Sequence, residues 1–236
     1  MAQYLELLSY GETGWGDELI RGVLITIILA IATLPLGLLF GFFIAVAKNS
    51  SEPLLRNAAH IYTTIFRGLP ELLTLFLIYY GGQMAMSALW MLVFGAEFEV
   101  NSFLAGIVAL ALVFSSYASE TFLSAFKGIS HGQYEGAYAL GLNRGATMRL
   151  VILPQLIRLA LPGLSNLWLN LLKDTSLVSV IGLSDLLRNT NIAVGVTKQA
   201  FFFFFVACLI YLLLSIISSL GLGRISNWAH RGQGGH

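Results

Sequence analysis

The sequence predicts an all-α transmembrane protein with five crossings, and three observations predict it. Of 236 residues, 57% are hydrophobic and only 11% are charged, and the mean hydropathy is +0.79. A water-soluble domain of this size could not cover so much apolar surface with so few charges. Five apolar runs, about 19–47, 56–80, 101–126, 161–182 and 199–222, are each long enough to cross a bilayer, which takes roughly 20 helical residues. Lysine and arginine collect in alternate connectors: Lys48 and Arg56, then Lys127, Arg144, Arg149 and Arg158, then Arg224 and Arg231 in the tail. Residues 1–236 read as one domain without an internal repeat.

Residues 1–18 are acidic (Glu6, Glu12, Asp17, Glu18), lack lysine and arginine, and show no cleavable signal. The first crossing carries Gly37 and Gly41 at GxxxG spacing, which permits close helix packing. The second is interrupted by Arg67-Gly68-Leu69-Pro70-Glu71. Arg67 and Glu71 are four apart, so a self-neutralised ion pair around a proline kink is expected there. A polar, acidic linker follows at 81–100, although 84–94 is apolar enough to lie in the interface. The third crossing ends in the small, polar run 115–121 with Glu120, which reads equally as a translocation-path carboxylate or as an inner-leaflet residue reaching headgroups.

In the fourth crossing Asn166, Asn170 and Asp174 step by four, placing three polar side chains on one helical face. Lys173 and Asp174 set two opposite charges in an apolar run, where ionisable groups are costly and usually functional. They read as a polar cavity wall, or as a pair joining two helices. A rise of 1.5 Å per residue from Pro162 puts Asp174 about 18 Å up, past the midplane, with Glu120 nearer the cytoplasm. The fifth crossing opens on Phe201 to Phe205.

Five crossings put the termini on opposite sides. By the positive-inside rule the N-terminus is outside, and the 127–160 loop and the C-terminus are cytoplasmic. Arg188 and Lys198, in the last connector, run against the rule without outweighing it.

Several function classes are excluded or demoted. A net charge of +1 suggests no nucleic-acid partner. Cys208 is the only cysteine and forms no internal disulfide. His60, His131, His230 and His236 are scattered, with no metal-ligand spacing. There is no G-x-x-x-x-G-K-[ST] phosphate loop, so the chain is not itself an ATPase. An intramembrane enzyme lacks a Ser/His pair or metal cluster. A secondary transporter or channel for amino acids or ions is the remaining rival, and it would work without any ATPase.

The stretch 135–154, EGAYALGLNRGATMRLVILP, is polar, glycine-punctuated and basic at once. It reads as two short helices joined by a bend. Ser130 and Gln133 sit at capping-box spacing, Glu135 falls in a first turn, and Tyr134, Ala137, Tyr138 and Leu142 recur at helical spacing. Gly141 and Gly145 break the run and Pro154 ends it. Glu135, Ala137, Gly141 and the closing Val151-Ile152-Leu153-Pro154 resemble the EAA loop of ABC-importer permeases, with Gly136 where that pattern has alanine and Val151 where it has isoleucine.

The segments 62–72, 116–122 and 173–179 extend the resemblance to polar-amino-acid ABC permeases. Within them the chain looks most similar to the histidine/lysine-arginine-ornithine and octopine/nopaline branch. The resemblance implies a five-helix type I importer permease in the bacterial inner membrane. It implies a dimer of ATP-binding subunits, a sister permease or second copy of the chain, and a periplasmic amino-acid-binding protein as partners. ATP and Mg would sit on the ATPase, with no cofactor on this chain. Carried over by position, Glu135, Gly136, Ala137, Leu140, Gly141, Arg144, Leu153 and Pro154 are the expected ATPase-coupling residues. Lys173, Asp174, Thr175, Asn170 and Glu120 are the expected solute-binding residues. The expected function is alternating-access uptake of a polar or basic amino acid, or of an opine built from one.

Overall fold

A computed structural model describes residues 6–11, 14–96 and 99–229. The expectations involving Glu12, His230, Arg231 and His236 lie outside them. The described chain folds into helices α1 (Gly16–Lys48), α2 (Pro53–Gly68), α3 (Glu71–Phe94), α4 (Ser102–Gly128), α5 (His131–Ala139), α6 (Arg144–Thr147), α7 (Leu153–Asp174), α8 (Leu186–Thr197) and α9 (Ala200–Ala229). A π turn (Met148–Ile152) leads into α7, and a 3-10 segment (Thr175–Ile181) follows it. Five of the described elements are long and apolar enough to cross a membrane: α1, α3, α4, α7 with its flanking turns, and α9.

The centre of the bundle is α4. Asn101 starts it, its side chain accepting from the backbone N–H groups of Phe103 (2.8 Å) and Leu104 (3.2 Å), which satisfies two donors that a helix start leaves free. Phe114, Ala118, Phe122 and Phe126 of α4 are buried against Leu29 and Ala45 of α1, Leu75 of α3 and Leu156 and Leu171 of α7. The closest approach is to α1, and the GxxxG pair explains it. A Cβ on Gly37 would overlap the Phe114 ring, and one on Gly41 would lie 2.8 Å from the Ala118 Cβ and 3.1 Å from the Ser115 carbonyl oxygen. The outer faces are apolar and uncovered, with Leu24, Ile28 and Phe43 on α1, Leu77 and Leu92 on α3, and Phe201 and Leu213 on α9 all exposed.

The second crossing differs from the expected 56–80. Leu69 is extended (φ −94°, ψ 142°) and Pro70 caps the next helix, so the chain breaks into two helices and the crossing is Glu71–Phe94. Proline has no N–H to continue the first helix and disfavours helical geometry in the residue before it. The helix then absorbs most of the supposed 81–100 linker and stops at Gly95, which takes the left-handed conformation (φ 65°). The fourth crossing begins at Leu153, well before the expected 161, because Pro162 sits inside α7 rather than at its start.

The connector between the fourth and fifth crossings is itself folded into the bundle. Asp185 is fully buried and caps α8, accepting from the N–H groups of Arg188 (3.0 Å) and Leu187 (3.3 Å). Gly22 of α1 lets the chain pass so close that a Cβ there would lie 2.7 Å from the Leu186 Cα. The Asn189 amide donates to the Glu18 carbonyl at 2.6 Å. Arg188 donates to the Ser179 carbonyl (3.3 Å), and Lys198 closes α8 at φ 60°. Both cations that run against the charge rule therefore belong to a packed element, not to a free loop.

Candidate functional site

Two polar clusters and one exposed loop carry the chemistry. The first cluster lines a cavity of about 230 Å³ between α3, α4 and α7. Glu71 enters it from the first turn of α3, Tyr117 from α4, and Asn170 and Asp174 from α7. The other lining residues, among them Leu75, Leu110, Val113, Phe114 and Leu171, are apolar. Glu71 and Asp174 are close enough to interact with each other. Among the described residues they are the only charged ones of the lining, so the cavity offers two carboxylates and no lysine or arginine there. Such a site favours a cation that has shed its water, because an uncompensated pair of like charges in an apolar wall is costly.

The second cluster is compensated. Glu120 accepts from Lys48 Nζ at 2.6 Å and from Arg67 Nη1 at 2.9 Å, and the Lys48 side chain is fully buried. The Arg67 guanidinium also lies 5.6 Å from the centre of the Tyr117 ring, within range of a cation–π contact. The expected Arg67–Glu71 pair is thus replaced. The break at Leu69–Pro70 puts those two residues on separate helices, and Arg67 turns to α4 instead.

Of the expected solute-binding residues, Asn170 and Asp174 reach the cavity, while Lys173, Thr175 and Glu120 do not line it. Neighbours on a helix point about 100° apart, so of Lys173 and Asp174 only one faces inward, and Lys173 is exposed. Thr175 is buried with its hydroxyl turned back to the Leu172 carbonyl at 2.7 Å. The Asn166–Asn170–Asp174 stripe also divides. Eight residues of α-helix drift by about 80°, and Asn166 lies in a separate groove with Ser165, Ser219 and Ser226 of α7 and α9. Glu71 and Tyr117 are the cavity residues that sequence reasoning did not assign to it.

The loop 127–160 forms two short helices at the end of the bundle shared by the last turn of α4 and the start of α7. After α5 the Gly141 N–H bonds the Tyr138 carbonyl (2.9 Å) and the Leu142 N–H bonds the Ala137 carbonyl (3.1 Å), with Gly141 at φ 79°. This doubly bonded reversal needs a left-handed residue, which glycine supplies without strain. Asn143 then caps α6 through the Ala146 N–H at 2.9 Å. The capping box does not form, because the Ser130 side chain makes no cap bond and Gln133 accepts from Gln155 at 3.1 Å instead. Glu135 lies beyond the first turn and pairs with His131 at 3.1 Å. Pro154 opens α7 rather than ending the run. The apolar stripe splits: Ala137 is buried, Tyr134 and Leu142 are half-buried and Tyr138 is exposed, while Leu140, outside the stripe, projects into solvent at 83% exposure. Burial, with a smaller effect of Tyr138, raises the Tyr134 phenol above its ordinary value, so it stays neutral. Gly136 and Arg144 are exposed, and Leu153 is half-buried. Among the described residues no group of three or more His, Cys, Asp or Glu is placed to hold a metal ion.

Residues 37–229, which contain both clusters and the loop, match the family described as binding-protein-dependent transport system inner membrane component. The chain belongs to this family. The permease is 40% identical to the nopaline transport system permease protein of Agrobacterium fabrum, over 97% of this chain and 98% of that protein. It is 34% identical to the histidine/lysine/arginine/ornithine transport system permease protein of Escherichia coli, covering 87% and 90%. Its fold superposes on the crystal structure of an amino acid ABC transporter with histidines at a TM-score of 0.76, with 33% identity and coverage of 90% and 94%. These relatives are transport subunits and not enzymes; in such systems the ATPase is a separate subunit.

Proposed function

We propose that this permease is the membrane-spanning subunit of an ATP-driven importer for cationic amino acids, or for opines built from them, working by alternating access. The observation that carries this reading is the cavity whose only charged lining residues are Glu71 and Asp174. An ammonium or guanidinium entering it meets two carboxylates, with Asn170 and the Tyr117 side chain beside them. The relatives named for histidine, lysine, arginine and ornithine or for nopaline agree with that chemistry.

The loop is the coupling element in this reading. Leu140 and Tyr138 present apolar surface that an ATPase groove would bury, and Gly141 holds the bend that points them outward. Glu135, Gly136, Ala137, Arg144, Leu153 and Pro154 frame that contact. The loop faces the cytoplasm, where ATP is, and the N-terminus faces the periplasm and the binding protein. A sister permease or a second copy completes the pathway, in the inner membrane of a bacterium. ATP binding closes the paired ATPases, the loops move with them, and the cavity turns from outward to inward.

The test is reconstitution of the permease with its ATP-binding subunit and receptor in nanodiscs. L-Arginine, L-histidine and nopaline are then compared for acceleration of ATP turnover. Solutes with a basic side-chain group should accelerate it and one without such a group, such as L-leucine, should not. Turnover blind to all three probes, or failure to assemble with an ATPase, would refute the proposal.

A further inference from the structure

The proposed site recognises only the cationic end of its solute, since its lining holds no basic residue. An amino acid also carries a carboxylate, which an acid-lined cavity would repel. Lys173 acts on Asp174 from outside the lining and is exposed, whereas Arg67 lies against a residue of the cavity wall. Its guanidinium stands 5.6 Å from the centre of the Tyr117 ring, and Tyr117 is itself part of the cavity wall. It also belongs to the residue four before Glu71, across the Leu69–Pro70 break, so one chain segment carries a cation and a cavity carboxylate on either side of a hinge-like interruption.

Arg67 is also the dispensable member of its own cluster. Glu120 is bound at 2.6 Å by Lys48, whose side chain is 0% exposed, whereas the Arg67 side chain is 44% exposed. Removing Lys48 would leave Glu120 only its exposed partner Arg67, but moving Arg67 away leaves Glu120 with its buried partner intact. Breaking a buried pair is expensive because a charge is left uncompensated; releasing Arg67 leaves none. A planar guanidinium is moreover suited to grip a carboxylate through two parallel hydrogen bonds.

Resting on the cationic-solute reading above, we infer that Arg67 is the specificity-determining residue for the solute's carboxylate, exchanging Glu120 for it when the cavity is loaded. Glu71 and Asp174 then take the side-chain cation, Arg67 takes the carboxylate, and Tyr117 lies between the two ends. Glu120 and Lys48 form the parking place from which Arg67 is drawn.

The experiment is calorimetric titration of the permease–ATPase complex in nanodiscs, without receptor, with L-arginine and with agmatine, which keeps the guanidinium and lacks the carboxylate. Against the unaltered complex, Arg67→Gln should weaken L-arginine by roughly ten- to a hundredfold, the range for one charged hydrogen-bond partner, and leave agmatine within about twofold. Arg67→Lys, which keeps the charge and loses the fork, should recover part of the loss. Equal weakening of both ligands, or L-arginine binding unchanged in Arg67→Gln, would overturn the inference and leave the cationic-solute reading standing. An unaltered complex that binds neither ligand would overturn that reading and the inference with it.

Discussion

Glu120 and Asp174 sit in adjoining helices of the same bundle, both within apolar sequence, and their surroundings are opposite. Glu120 is held by two cations, one of them wholly buried. Asp174 lines a cavity whose described lining holds a second carboxylate and no cation, with Lys173 acting on it only from outside. A charge among apolar residues is therefore not informative by itself. A compensated one locks helices together; an uncompensated one stores unfavourable energy that only an incoming group of opposite sign relieves.

The contrast is open to direct attack, and the largest effect should come from Glu120. Glu120→Ala strands the buried Lys48 ammonium and should cost about 3–5 kcal/mol of stability, read as a lower melting temperature and poorer assembly of the purified complex. Pairing it with Lys48→Met should restore most of that loss; a double variant as unstable as the single one would show that the pair is not what holds α1 to α4. Asp174→Asn should do the reverse. Solute affinity should fall by roughly ten- to a hundredfold, as expected for one charged hydrogen-bond partner, while the melting temperature holds or rises because a like-charge conflict has been removed. A melting temperature that drops with binding intact would erase the distinction between the two carboxylates. The smallest effect serves as a control outside both clusters. Gly141→Ala forces a Cβ into a left-handed backbone at a cost of about 1–2 kcal/mol. It should weaken association with the ATPase, measured by co-purification, and leave solute binding unchanged.

What could be read in advance follows from the kind of physics involved. The five crossings rest on long apolar runs, and the Gly37/Gly41 approach rests on side-chain size, so both are written locally. The bend at Gly141 was likewise legible, because only a few residues satisfy a left-handed turn. The partners of the charges were not. Arg67 sees Glu71 four residues away in sequence, and nothing in the sequence says that the Leu69–Pro70 break will separate them and hand Arg67 to a residue 53 positions on. Lys48 reads as a connector charge because it follows an apolar run, yet the pairing of α1 with α4 buries it. The 173–176 segment suggested that Lys173 and Asp174 act together; the helical rotation between consecutive residues allows only one of them into the cavity.

The wide turn at Met148–Ile152 has a consequence for the far end of α7. A π turn houses one residue more than an α turn, so everything after it is displaced by one place along the helical lattice. With ordinary pitch at those five residues, the place now held by Asp174 would be held by Lys173. The charge balance of the cavity, two carboxylates rather than one carboxylate and one ammonium, is thus set some twenty residues upstream, by a single surplus residue where the loop becomes a crossing.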